Sequence, residues 1–147
     1  LIESGKLNPS VAVLKSILVG IKMDLAEFFA EETVDSEPLI YRSDDLLEIG
    51  QGKISYRQVG SHMDGRSVQI LHERYAPGAA TGKVSLSHSG EEGGVVVRGQ
   101  LELTVNGERH LRGPGDAYYF KSSRPHRFRN IGDEECEVVS ACSPPSV

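Results

Sequence analysis

The chain has 147 residues, of which 38% are hydrophobic and 25% are charged, and its formal net charge is −5 at pH 7. These proportions are those of a globular domain with its own core, and they exclude a fibrous or intrinsically disordered chain. Because proteins bind nucleic acid mainly through its phosphates, the negative net charge makes the chain as a whole poorly suited to bind nucleic acid.

Residues 8–30 have helical periodicity. Apolar side chains recur at steps of three and four residues, at Val11, Leu14, Leu18, Ile21, Leu25 and Phe28. Asn8 suits an N-cap and Pro9 suits the first helical position. Residues 31–38, EETVDSEP, are polar and acidic and end in proline. That composition is typical of a linker.

From residue 39 onward, short strand-like runs alternate with glycine and proline turns. The run LELTV alternates apolar and polar side chains, and Asn106-Gly107 follows it directly. An Asn-Gly pair after such a run is the strongest short signal for a β-hairpin. Many short strands at this spacing predict an antiparallel sandwich or a small barrel.

The stretch HSGEEGG supplies candidate ligands for a metal or a small molecule. His88 and Glu92 are an even number of residues apart, so in a strand both side chains point to one face. Imidazole and carboxylate are good ligands for iron, manganese, zinc or nickel. A third ligand must come from elsewhere, and His126 in RPHRFRN is the best candidate. The alternative is a polar pocket in which these residues hydrogen-bond an organic ligand directly.

Two longer segments, GKVSLSHSGEEGGVVVRG and GDAYYFKSSRPHRFRN, resemble the two motifs of the cupin family. The resemblance implies a mainly β cupin fold, a double-stranded β-helix or jelly-roll barrel. His88, Glu92 and His126 fall on metal-ligand positions of the motifs, whereas Leu86 stands where the first histidine is expected. Three of the four ligand positions therefore remain.

The N-terminal segment LIESGKLNPSVAVLKSILVGIKMDLAEFF resembles the last part of a lambda-repressor-like helix-turn-helix domain. The whole chain thus resembles a helix-turn-helix/cupin transcriptional regulator, and DDLLEIG, HSGEEGG and PHRFRN are similar to phrases of the repressors of putrescine utilisation. The resemblance implies a DNA-binding remnant over 1–30, a linker over 31–38 and a cupin sensor domain over 39–147. The helices that read DNA would lie upstream of Leu1.

The resemblance implies a sensor and not an enzyme. Its effector would be a small metabolite, a polyamine or a related amine or amino acid, whose binding controls the binding of DNA through the upstream helices. We expect a homodimer, because cupins usually pair and such regulators read two half-sites.

Two further residues are assigned to the ligand pocket. Glu73 could pair with an ammonium group, although an ordinary surface charge is an equal interpretation. Tyr118 and Tyr119 face opposite sides of a predicted strand, and Tyr119 is taken as the pocket residue.

The alternative function is a mononuclear metal-dependent cupin enzyme. Two histidines and one glutamate can form the facial triad of non-haem iron enzymes, with one divalent ion of zinc, iron, manganese or nickel as the cofactor. A third interpretation is a dimerisation scaffold whose barrel is filled by Leu86, Tyr119 and apolar neighbours.

The cysteines and the apolar runs bear on location. Cys136 and Cys142 would share one face of a strand about 20 Å apart, too far to pair, so two buried thiols are expected. No apolar run approaches the roughly 20 residues of a membrane span. The chain opens at Leu1 without the pattern of a signal peptide. We expect a cytoplasmic protein with residues upstream of Leu1 and no membrane partner.

Overall fold

The computed structural model describes residues 38–82 and 89–146. The helices predicted over 8–30, the DNA-binding remnant over 1–30, most of the linker and the candidate ligand His88 lie outside these residues. The described residues from Ile40 onward belong to one compact unit. No helix among the described residues combines the length and the apolar character that crossing a membrane requires.

One turn of 3-10 helix at Ser43–Asp45 precedes the strands of the described residues. The strand bounds are β1 Leu47–Glu48, β2 Ile54–Gln58, β3 Gln69–Tyr75, β4 Glu91–Arg98, β5 Leu101–Val105, β6 Glu108–Arg112, β7 Ala117–Lys121, β8 His126–Arg129 and β9 Cys136–Ser143. A six-stranded sheet has the order β1-β2-β3-β9-β4-β7, and a three-stranded sheet has the order β6-β5-β8. The ladders in both sheets are antiparallel. This jelly-roll-like sandwich confirms the predicted mainly β class.

The hairpin between β5 and β6 forms where the Asn-Gly pair predicts it. Val105 pairs with Glu108, and the two turn residues Asn106 and Gly107 have φ angles of 52° and 81°. Two consecutive positive φ angles define the type I′ turn, whose twist matches that of the flanking strands. The hairpin prediction is confirmed.

Side chains from both sheets form one hydrophobic core. Its buried members are Tyr75, Ala79, Val96, Leu101, Leu103, Phe120, Phe128, Cys136 and Val138. Cys136 and Cys142 are both free and buried on β9, as predicted. Burial raises the pKa of the Cys136 thiol to about 11, so this sulfur stays protonated and packs as a small apolar group.

Candidate functional site

Alternate residues of the six-stranded sheet point into the space that the two sheets enclose. On β3 these include Glu73 and Tyr75, both buried, and on β9 they include the buried Ser140 and Cys142. Glu92 of β4 pairs directly with Cys142, which places its side chain on the same face. The interior polar cluster is defined here as Tyr56, Glu73, Tyr75, Glu92, Tyr118, His126 and Ser140.

Glu73 is a buried carboxylate held by two hydroxyl groups. The Tyr75 hydroxyl donates to its Oε1 at 2.9 Å, and the Ser140 hydroxyl donates to its Oε2. Burial raises the pKa of Glu73 most strongly, the two hydrogen bonds oppose that rise, and repulsion from Glu92 adds to it. Glu73 is 7% exposed, so the interpretation as an ordinary surface charge is wrong.

Glu92 and His126 meet across the interior, one from each sheet. The Nε2 atom of His126 lies 3.4 Å from Oε2 of Glu92, and both side chains are largely buried. The other ring nitrogen, Nδ1, lies 2.7 Å from the Arg124 carbonyl oxygen. Because a carbonyl can only accept, Nδ1 carries a proton there, which directs Nε2 towards the carboxylate. The rings of Phe120 and Phe128, at 4.9 and 6.0 Å, fix the imidazole plane.

This orientation suits a metal ligand, but the described residues supply an incomplete donor set. A ligating histidine usually anchors its second nitrogen to a carbonyl or carboxylate, as Nδ1 of His126 does here. Among the described residues, no three histidine, cysteine or acidic side chains gather closely enough to hold a metal ion. The predicted third ligand, His88, lies outside them. The metal triad therefore stays a prediction.

The inward-facing tyrosine of β7 is Tyr118, which corrects the assignment of Tyr119 to the pocket. Tyr118 packs its ring 5.4 Å from that of Phe128, and burial, with Glu73 and Glu92 nearby, raises the pKa of its hydroxyl. Tyr119 is 65% exposed, and its hydroxyl donates to Glu91. Strand alternation allows only one of two successive residues to face inward, and pairing with β4 selects Tyr118.

Several members of the interior polar cluster were not identified from the sequence. Tyr56 packs edge-on against Tyr75, with ring centroids 6.3 Å apart, and burial raises the pKa of both hydroxyls. Ser140 reaches Glu73 from the neighbouring strand. The alternation in QILHERY was the available signal for Tyr75, because it places that residue on the face of Glu73.

The cations of the described chain lie outside this interior. Within residues 38–82 and 89–146, no lysine or arginine is buried. Arg74 lies on the outer face of β3 with its Nε 4.0 Å from Glu135. Among the described residues, the interior polar cluster thus combines the carboxylates of Glu73 and Glu92 with tyrosine hydroxyls and the imidazole of His126, an arrangement that favours a cationic ligand.

Comparisons with known proteins agree with this architecture. The profile of the cupin domain (Cupin_2) matches residues 71–142. The HTH-type transcriptional regulator PuuR of Escherichia coli (strain K12) is 33% identical over 144 residues, which are 97% of this chain and 77% of that protein. The chain therefore belongs to the family of HTH-type transcriptional regulators with a cupin domain.

Solved structures show the same fold at lower identity. The Cupin_2 domain of an XRE-family transcriptional regulator from Enterobacter cloacae has a TM-score of 0.57 at 23% identity, covering 65% of this chain and 100% of that one. Ectoine synthase from P. lautus has a TM-score of 0.62 at 17% identity, covering 75% of this chain and 80% of that one. The cupin fold thus occurs in both regulators and enzymes, and it is the 33% identity to the regulator PuuR that supports the non-enzyme interpretation.

Proposed function

We propose that the cupin domain senses an amine cation, a polyamine or a related amine or amino acid, for a transcriptional regulator. The observation that carries this proposal is the placement of Glu73 and Glu92 in one interior in which no described lysine or arginine is buried. Two carboxylates that repel each other gain most from a ligand that brings positive charge.

The interior has the chemistry to recognise an ammonium group. An ammonium donates charge-assisted hydrogen bonds to carboxylates, and tyrosine faces attract cations. Glu73 already accepts from Tyr75 and Ser140, yet a carboxylate offers about four lone-pair sites, so it can accept another donor. A second ammonium on the same ligand would pair with Glu92, which favours a diamine over a monoamine.

Effector binding would act on DNA through a helix-turn-helix domain. The family consists of HTH-type transcriptional regulators, which supports a helix-turn-helix domain as the partner of the cupin domain. We propose that the protein binds two DNA half-sites as a homodimer. Its affinity for DNA would differ between the effector-bound and the empty state of the cupin domain.

The test is a calorimetric titration of the full chain with 1,4-diaminobutane, with butylamine and succinate for comparison. Glu73→Gln and Glu92→Gln should each weaken diamine binding about 10- to 100-fold, since a hydrogen bond to a charged group contributes roughly 1.5–3 kcal/mol. Glu91→Gln is the matched control, because Glu91 lies beside Glu92 in sequence but on the exposed face with Lys121.

The control for folding is the far-ultraviolet circular dichroism of all three variants, which should match that of the unsubstituted chain. Tighter binding of succinate than of the diamine would contradict the proposal. So would equal losses in Glu91→Gln and in the two interior variants, since the exposed carboxylate has no place in the site.

A divalent metal is a second proposal for the same interior, supported by the orientation of His126 towards Glu92. His88, Glu92 and His126 would hold one zinc, iron, manganese or nickel ion, which would supply Lewis-acid chemistry when bound. Repeating the titrations after chelation separates the proposals. Diamine binding that survives chelation rests on the carboxylates. The metal site is favoured if elemental mass spectrometry finds one metal per chain before chelation and diamine binding is lost after it.

A further inference from the structure

The outer face of the three-stranded sheet contains a cationic pocket that is separate from the interior polar cluster. The arginine pocket is defined here as the open pocket of about 430 Å³ whose described charged lining residues are Glu102, Arg109, Arg127 and Arg129. These residues give the lining an excess of two positive charges, although the chain as a whole has a formal net charge of −5. A local charge opposite in sign to that of the chain favours an anionic ligand at this place.

The strand register places two of these arginines on either side of one short side chain. Thr104 of β5 pairs with Arg109 of β6 on one side and with Arg127 of β8 on the other. Leu103 and Phe128 are buried in the core, so strand alternation turns Thr104 and Arg127 to the outer face, which Arg109 shares. With neighbouring strands about 4.8 Å apart, the two arginine Cα atoms lie about 10 Å apart, and their long side chains can converge above the threonine hydroxyl.

The arginines of this pocket differ in whether a carboxylate neutralises them. Arg129 lies 3.4 Å from Glu102, its direct partner across the two strands. Among the described residues, no carboxylate oxygen lies within 4.0 Å of the guanidinium group of Arg109 or Arg127. The Nε atom of Arg127 is also shielded from solvent and has no hydrogen-bond partner in the described part of the chain. A shielded donor without an acceptor costs free energy, and an anion bound beside it would recover that cost.

We propose that the arginine pocket binds a phosphate group, either free phosphate or the phosphomonoester of a small metabolite. Arginine binds phosphate oxygens through two parallel hydrogen bonds from its planar guanidinium group, and the Thr104 hydroxyl can donate a further one. The excess of two positive charges matches a phosphate dianion better than a single carboxylate. The volume of the pocket lies within the range of small-molecule sites, and its charged lining suits a ligand that is itself charged.

A small anion suits this pocket better than nucleic acid does. Nucleic acid is a polyanion that extends beyond a few arginines and would meet the net negative charge of the rest of the chain. A single phosphate group depends on the local charges, because salt screens exposed charges beyond about 8–10 Å. The inference is independent of the proposed effector, since His126 and Phe128 of β8 face the interior whereas Arg127 and Arg129 face outward.

The test is a titration of the full chain with inorganic phosphate at constant ionic strength, followed by nuclear magnetic resonance. The signals of the Thr104 amide and of the Arg127 Nε–H group should shift saturably. Arg109→Gln and Arg127→Gln should each weaken phosphate binding about 10-fold, because each removes a charged hydrogen-bond donor. Arg112→Gln is the matched control, since Arg112 lies on β6 with Arg109 but does not line the pocket, and it should leave the affinity unchanged.

Glu102→Gln tests the sign of the effect. It removes a carboxylate from the lining and should tighten phosphate binding several-fold, a gain that damage to the fold would not produce. Glycerol 2-phosphate distinguishes the sources of the phosphate group: tighter binding of the ester than of free phosphate favours a phosphorylated metabolite, and the reverse favours phosphate itself. The inference is overturned if no saturable shift occurs or if Arg112→Gln loses as much affinity as Arg127→Gln. It is also overturned if duplex DNA binds the pocket more tightly than either phosphate compound.

Discussion

The two sheets contribute different side chains to the interior that they share. From the three-stranded sheet come the buried apolar side chains of Leu101, Leu103 and Phe128 and one largely buried polar side chain, His126. From the six-stranded sheet come buried polar side chains as well as apolar ones, and the polar ones are Gln58, Gln69, Glu73 and Ser140. The polar groups are paired with each other: Gln69 donates to Gln58 at 2.6 Å, and Ser140 donates to Glu73.

This difference has consequences for stability and for recognition. Burying a leucine or phenylalanine contributes about 1.5–3 kcal/mol, whereas a typical internal hydrogen bond contributes about 1 kcal/mol net. A buried carboxylate costs free energy unless its hydrogen bonds are made. Buried apolar side chains of both sheets therefore stabilise the fold, while the six-stranded sheet gives up some stability to hold a buried carboxylate.

The largest expected effect on the free energy of unfolding comes from truncating a buried apolar side chain. Leu101 is 1% exposed, so Leu101→Ala should lower the free energy of unfolding by about 2–5 kcal/mol through lost burial and a residual cavity. Ser140→Ala removes one hydroxyl donor from the interior polar cluster and should lower the free energy of unfolding by about 1–3 kcal/mol. Urea unfolding measures both. An equal or larger loss for Ser140→Ala would contradict the larger contribution of buried apolar side chains to stability.

A smaller effect is expected where the interior polar cluster packs tightly against backbone. A Cβ atom added at Gly94 would lie 2.6 Å from the Tyr118 hydroxyl oxygen. The ring of Tyr118 packs against Phe120 and Phe128 and has little room to move. Gly94→Ala should therefore cost about 1–3 kcal/mol in urea unfolding and alter tyrosine fluorescence.

The control for this variant is Gly113→Ala, because a Cβ atom there would meet nothing within 4 Å. The chain contains no tryptophan, so the tyrosines provide the fluorescence signal. If both alanine variants unfold alike and have the same spectrum, the glycine at position 94 is not what makes room for Tyr118.

The sequence predicts the fold well because its signals are local. The alternation in LELTV predicts a strand, and Asn106-Gly107 predicts the turn that follows, since two successive positive φ angles suit few other residues. The buried face of β9 is likewise readable from the even spacing of Cys136 and Cys142. Each of these features depends on a few neighbouring residues.

The site is predicted less completely, because which residues of a strand face the interior depends on pairing with strands distant in sequence. Alternation requires Tyr118 and Tyr119 to face opposite ways, but it leaves open which one faces inward. The register that pairs Gly94 with Tyr118 decides it, and that pairing joins residues from different parts of the chain. Glu92 and His126 were placed together through the cupin resemblance. Ser140, a small polar residue between apolar neighbours, carries no signal of its own.

The last prediction concerns the proton on Glu73, which sharpens the contrast between stability and recognition. Burial raises the pKa of Glu73 above the ordinary glutamate value of 4.5, so the folded state binds more protons than the unfolded state in the window between the two values. The stabilising contribution is fully present below the ordinary value and is lost as pH rises through the raised one. The Glu73→Gln variant has no proton to lose at this position, so its free energy of unfolding should fall less than that of the wild type as pH rises over this window.

Diamine affinity should change in the opposite direction, because an ammonium binds the ionised carboxylate. The wild-type chain should bind 1,4-diaminobutane more tightly as its stability falls across this window, whereas Glu73→Gln should show neither trend. Urea unfolding and calorimetry at each pH measure the two quantities, with Glu91→Gln expected to follow the wild type in both. Parallel stability profiles for wild type and Glu73→Gln would mean that Glu73 keeps an ordinary pKa, and the six-stranded sheet would then hold its carboxylate at no cost in stability.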